Sequence, residues 1–567
     1  MRQMLRARVV SRFLFEGICA VVALCIPAQV LFAVTCNVVK HNPPSEADKA
    51  MLAADYAKAE GLYQAALAKQ SGDPDLTAGL VHALLRQQMV SEAEDAVKTA
   101  LATAPKSAAL ITLRGEIELR KGEPWLVEPT VIESYKIDPC NPRTRLLFAR
   151  ALEMTSRYAT ARQQILLAHQ FDPADPEIQL AWIKTLPLQQ RIAELEDYLS
   201  SPTGDDKETL SQLHADLERM RRQAGEPVKA CHLASPTATG EIPFIRLRGN
   251  GDHTRAYGME VGMNGHPTRL QIDTRGAGLT LYRAAADRAG LKRLGPEEKG
   301  AAASPGQKPT YTAYADSIHI GSFEFQDCAV NVIDSASPFD DGDGQVGIDT
   351  FSDFMVTLDL PMRKVGLAPL PVRPGETAAA AIGLKTIAED MDDLAPVEAA
   401  RPADAKAGAA PPAPAASASS DRYISPDMKD YSQIYHVGHD LILPTALNGE
   451  KVKLFIVDAS LDATNISPGT AMDAGKFHED KTMEHPSPGG KADRVFVADE
   501  LSFNFAHVAQ KLNGVVSADM SGASKADGME ISGILGMNTL SLLTLHIDYR
   551  DGLLKAEYVP GRGYKFE

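Results

Sequence analysis

The stretch LQIDTRGAGLTL, residues 270–281, decides how the C-terminal half of this chain is read. Apolar and polar residues alternate up to Ile272, the pattern of a strand with one buried side. That strand delivers Asp273 into the short loop Thr274-Arg275-Gly276-Ala277-Gly278, and alternation resumes as Leu-Thr-Leu. A carboxylate brought to the end of a buried strand is costly to desolvate, so its placement asks for a chemical reason.

The same arrangement occurs twice. NGHPTRLQID, ending at Asp273, pairs with NGEKVKLFIVD, ending at Asp458. Downstream, DGQVGIDTFSDFMVTLDL (343–360) aligns without gaps to SGILGMNTLSLLTLHIDY (532–549), with Gly344/Gly533, Gly347/Gly536, Thr350/Thr539, Ser352/Ser541 and Asp359/Asp548 coinciding. The aspartates lie 185 residues apart and the glycine motifs 189 apart, so the motif and its distance repeat together. Asn264-Gly265 and Asn448-Gly449, each between alternating runs, are hairpin signals. Residues 240–372 and 426–567 are therefore expected to be two β lobes of common origin.

Each lobe resembles the retropepsin-like aspartyl protease family, in which a hydrophobic strand ends in D-T-G-A-S and two apolar residues with a glycine later pack against that loop. Gly533-Ile534-Leu535-Gly536 matches this second signature, and Gly344-Gln345-Val346-Gly347 matches it with one polar intrusion. The resemblance implies Asp273 and Asp458 as catalytic residues, Thr274, Arg275, Gly276, Ala459, Ser460, Gly347 and Gly536 as loop support, a protein or peptide substrate, and neither metal nor cofactor. Two carboxyl groups about 3 Å apart share one proton and supply both the base that activates water and the acid that protonates the carbonyl. Each lobe brings one, so the lobes must pair, and the threonine of each loop braces the other.

Both loops depart from the pattern. Arg275 stands where glycine is expected, and Asp458-Ala459-Ser460 lacks the bracing hydroxyl and the glycine. A guanidinium beside an aspartate lowers its pKa by roughly 1–3 units, which works against the general acid. Gly276, one residue on, keeps the tight conformation accessible. Covering flaps are expected near 300–314 and 487–497. Phe339-Asp-Asp-Gly-Asp-Gly344 does not complete a calcium loop and reads as a hairpin turn, and His436-Val-Gly-His439 reads as surface decoration.

Residues 45–225 are rich in Ala, Leu, Glu, Gln and Arg with helical periodicity. Ala59, Ala93, Val127 and Ala161 fall on a 34-residue grid, and Ala66, Ala100, Ser134 and Ala168 follow seven residues later. Asp-Pro or Ala-Pro at Pro74, Pro105, Pro139 and Pro173 is expected to close the units, the proline stopping the second helix. YAKAEGLYQAALAKQSGDP and YATARQQILLAHQFDP resemble the tetratricopeptide repeat over about four units, without its usual tryptophan. The resemblance implies an α-solenoid that recruits a protein partner.

The expected fold is thus multidomain α and β: a tetratricopeptide-like α-solenoid followed by two duplicated all-β retropepsin-like barrel lobes, joined through the Ala/Pro/Ser-rich segment 373–425 as an extended linker. Arg2, Arg6, Arg8 and Arg12 precede an apolar run at 17–36, so residues 1–36 read as a signal peptide or a membrane anchor and the remainder as extracytoplasmic. Val34-Thr35 is a poor approach to a lipidated Cys36. Six cysteines are too few to staple a chain of 567 residues, and no CxxC or HExxH is present to hold a metal. The formal charge of −16 excludes nucleic acid as a natural partner. Three functions remain open: a peptidase, a lobe pair that grips extended peptides without cutting, and a scaffold whose repeats do the work.

Overall fold

The computed structural model describes residues 36–225, 231–235, 239–249, 254–294, 310–333, 337, 341–374, 421–449, 451–486, 492–558 and 560. The N-terminal segment 1–35, most of the linker, and the tips expected to form flaps lie outside them. Of the flap stretches, 310–314 begins the strand Thr310–Ile320 and 492–497 begins the strand Ala492–Phe505. Among the described residues no helix is long and apolar enough to cross a membrane.

From Glu46 to Ala224 the chain forms antiparallel helical hairpins closed by the helix Lys207–Ala224. The 34-residue grid marks the first turns of the second helix in each unit. Ala59, Ala93, Val127 and Ala161 lie on Tyr56–Leu67, Val90–Thr103, Pro124–Ile137 and Tyr158–Phe171, and all four are wholly buried. Small side chains there let neighbouring helices approach closely. Ser134, polar at a grid point, is satisfied by Thr112, Thr144 and the Ala108 carbonyl. Pro74 opens a helix rather than ending one, as do Pro124, Pro142 and Pro176; a first-turn proline forfeits no intrahelical hydrogen bond.

Both lobes repeat one plan. In lobe one His266–Asp273 pairs in parallel with Gly344–Gly347, placing Gly347 opposite Asp273. In lobe two Lys451–Val457 pairs in parallel with Gly533–Leu535. Both Asn-Gly turns have left-handed φ, 48° and 82° at Asn264-Gly265 and 51° and 76° at Asn448-Gly449. Their asparagines are anchored alike: Asn264 Oδ1 accepts from Ser317 N–H, and Asn448 Oδ1 from Ser502 N–H.

The lobes join through a six-stranded sheet to which each contributes three strands. At its centre Phe354–Asp359 of lobe one runs antiparallel to Leu543–Asp548 of lobe two, with Thr357 opposite His546. Val356, Leu358, Leu545 and Ile547 from these strands are buried in a core that spans both lobes. Pairing is therefore within one chain.

Cys36 is bonded to Cys140, and Cys231 to Cys328. These pairings were not anticipated from the sequence. The partners are 104 and 97 residues apart, a separation that hides them in a linear reading. The repeat array also docks directly on lobe two. Leu119, Val131, Leu147 and Met154 share an apolar cluster with Tyr435, Ile442, Leu454 and Ile531.

Candidate active site

Asp273 ends its strand beside Gly347, and Asp458 follows its own strand with its N–H bonded to the Leu535 carbonyl. The glycine signatures make room for the loops. A Cβ on Gly347 would sit 2.1 Å from the Gly276 carbonyl oxygen, and one on Gly536 would lie 2.6 Å from Ala463 backbone atoms. No other residue fits either place without displacing the loop it supports.

The two loops touch. Thr274 Oγ1 donates to the Val457 carbonyl at 2.8 Å and accepts from the Ala459 N–H at 2.9 Å. This is the bracing expected of the threonine, made in one direction only, because Ala459 has no hydroxyl to return it. Thr274 is almost fully buried, so both bonds are shielded from water.

The carboxylates are held differently. Asp458, buried, accepts from both the N–H and the hydroxyl of Ser460 at Oδ1, at 2.9 and 2.6 Å. Asp273 accepts the Arg275 N–H at 2.9 Å. Burial pushes the Asp273 carboxyl above its ordinary range, and the charge of Asp458 raises it further. The N–H groups of Arg275 and Gly276, and then the Arg275 charge, oppose this.

Arg275 thus lowers the Asp273 pKa as expected, but burial outweighs it. Its guanidinium turns across the lobe boundary, where Nε and Nη2 reach the two oxygens of Asp440 at 2.8 and 3.0 Å. Engaged there, its charge opposes the effect of burial on Asp273 without reversing it. The backbone at 275 lies outside the left-handed region, so the position does not require glycine.

Contrary to expectation, His436 does not lie on the surface, whereas His439 is exposed but carries a bond to lobe one. His436 is buried against Tyr549, and burial pulls its pKa down to about 4. His439 Nδ1 meets Asp349 Oδ2 at 2.9 Å, while Asp349 Oδ1 accepts the Gly278 N–H at 2.9 Å. Asp341 and Asp343, from the acidic stretch before Gly344, are taken up by Arg269 and Arg288. Asp527, on the short helix Ser521–Asp527, lies within electrostatic reach of Arg275 and Asp440. Burial first, then the Asp440 charge, raises its pKa to about 7. Asp349, Asp440 and Asp527 were not singled out from sequence. Only Asp349 carried a signal, two residues after Gly347, and its aligned partner is Asn538.

Residues 259–348 match the model of the gag-polyprotein putative aspartyl protease family, and residues 50–117 match that of the tetratricopeptide repeat. Lobe two is tied to the first match by the internal duplication. Among solved structures the chain is similar to a retropepsin-like aspartic protease from Rickettsia conorii, at 18% identity over 23% of this chain and 90% of that one, with TM-score 0.17. It is also similar to a thermophilic tetratricopeptide-repeat protein from Thermus thermophilus, at 16% identity over 31% and 95% of the two chains, with TM-score 0.25. No curated protein matches the chain.

Proposed function

We propose that the chain is an aspartic endopeptidase whose dyad, Asp273 and Asp458, is assembled from two lobes of one polypeptide. The observation that carries this reading is the Thr274 hydroxyl bridging Val457 and Ala459, which supports a direct meeting of the two aspartate loops. The raised Asp273 carboxyl suits it to keep the shared proton. Asp458, with Ser460 donating twice to Oδ1, suits the role of base. Water then loses a proton to Asp458 as its oxygen bonds the peptide carbon, and Asp273 gives its proton to the carbonyl oxygen. Asp273→Asn and Asp458→Asn should each abolish cleavage of an unfolded protein substrate. Cleavage surviving either change would remove the dyad.

A second reading, a cleft that holds extended peptides without cutting, draws support from the missing hydroxyl at Ala459. In both readings the repeats recruit the protein that is held or cut. We place the protein outside the cytoplasm. The Arg-rich start with its apolar run supports this, as do the two disulfides, since such bonds persist in oxidising compartments.

A further inference from the structure

We infer that the turn Gly438-His439-Asp440 of lobe two positions the aspartate loop of lobe one, replacing the brace that lobe two lost at Ala459. The inference rests on the peptidase reading for its functional meaning and on geometry for its substance.

A two-fold pair of loops would be gripped reciprocally. Ala459 is the 185-residue counterpart of Thr274, and Val457 that of Ile272. Thr274 anchors lobe two's loop, but Ala459 cannot bond the Ile272 carbonyl in return. Lobe one's loop is instead tied at two points to consecutive residues of lobe two. Arg275 forms a two-bond fork to Asp440, whose planar geometry fixes orientation as well as distance. Gly278 donates to Asp349, and Asp349 meets His439. The fork is partly shielded, the Asp440 side chain being 13% exposed and that of Arg275 33%. Its base is firm. Tyr435–Val437 pairs with Asp440–Leu447, and Tyr435 and Ile442 are buried against the repeat helices. Arg275, a defect when set against the family's glycine, thus acts here as the outward half of a cross-lobe tie.

The Ala459 amide reports the Thr274 brace that the positioned loop makes, and the Gly278 amide the link through Asp349; their hydrogen exchange is measured in the full-length chain. In the double variant His439→Gln, Asp440→Asn, both should exchange roughly tenfold faster, with Phe354–Asp359 and Leu543–Asp548 unchanged. Adding Ala459→Thr, which supplies a hydroxyl for the Ile272 carbonyl, should restore most of the protection. Unchanged exchange in the double variant, or an increase that Ala459→Thr does not reverse, overturns the inference. Should the double variant unfold, Arg275→Lys, which keeps the charge and loses the fork, gives the same comparison at smaller amplitude. Where the native chain cleaves peptide, the double variant should lose kcat with KM little changed. A native chain that cleaves nothing counts against the peptidase reading and leaves the exchange result to decide the tie.

Discussion

Thr357 lies opposite His546 in the central sheet, and the two are 189 residues apart, the same offset that relates the duplicated glycine motifs. A residue paired with its own counterpart in an antiparallel ladder sits on a local two-fold axis. Thr357 Oγ1 and His546 Nδ1 are 3.1 Å apart across that axis. The duplicated lobes are thus packed as a self-complementary dimer is, inside one chain.

Lobe pairing should therefore not depend on the linker. Both of its ends converge on buried Asp551, which accepts from Arg373 Nη2 at 2.7 Å and from the Tyr423 N–H at 2.8 Å. Cutting the chain between 375 and 420 should leave the pieces together on gel filtration, with the melting temperature within a few degrees of the intact chain. Separation of the pieces would show that the linker holds the lobes.

Gly347→Ala and Gly536→Ala should each destabilise by about 2 kcal/mol or more, since the new methyl meets backbone atoms that cannot rotate away. Urea unfolding measures this. Gly276→Ala should be milder, because its nearest neighbours, 3.0–3.1 Å from the added carbon, belong to the Asp273 side chain.

Gly122→Ala should loosen the repeats from lobe two. Gly122 has φ +71°, and a Cβ there would lie 2.5 Å from the Glu530 carbonyl oxygen. Strain and clash together should cost on the order of 2 kcal/mol, seen as faster proteolysis between the repeats and lobe one. Residues 45–225 alone should stay helical by circular dichroism and be less stable than in the full chain, because Leu119, Val131, Leu147 and Met154 lose their cover.

Asp527 gives a pH dependence with a definite sign. An unfolded aspartyl group titrates near ~3.9, whereas Asp527 keeps its proton to about 7 in the fold, and its Oδ2 has no hydrogen-bond partner among the described residues. Folding therefore takes up a proton between these values. The associated stability is present below about pH 4 and is lost as the pH rises through about 7. Asp527→Asn should raise the melting temperature at pH 8 on the order of 2 °C and have no effect at pH 4.

Local chemistry was legible in the sequence, and cross-chain partnership was not. The repeats announced themselves because close packing of a second helix favours a small residue at the fixed grid points, as Ala59, Ala93 and Ala161 show, with Val127 the departure. The lobes announced themselves because Asn-Gly turns, alternation and the glycines at 347 and 536 are each required by adjacent backbone. The engagement of Arg275 was not legible because its partner Asp440 lies 165 residues away and no local pattern marks it. His436 was misjudged because a histidine's burial depends on what folds over it, and the bond of the exposed His439 because Asp349 lies 90 residues away. The cysteine pairs were hidden for the same reason.

The most direct test of the central claim is turnover of a quenched peptide library by the native chain from about pH 3 to 7, the span in which a carboxylate pair titrates. A dyad in which Asp273 holds the proton and Asp458 the charge predicts a bell-shaped acid optimum, lost in Asp273→Asn and in Asp458→Asn. Turnover with no acid optimum, or turnover that either asparagine variant retains, would contradict it.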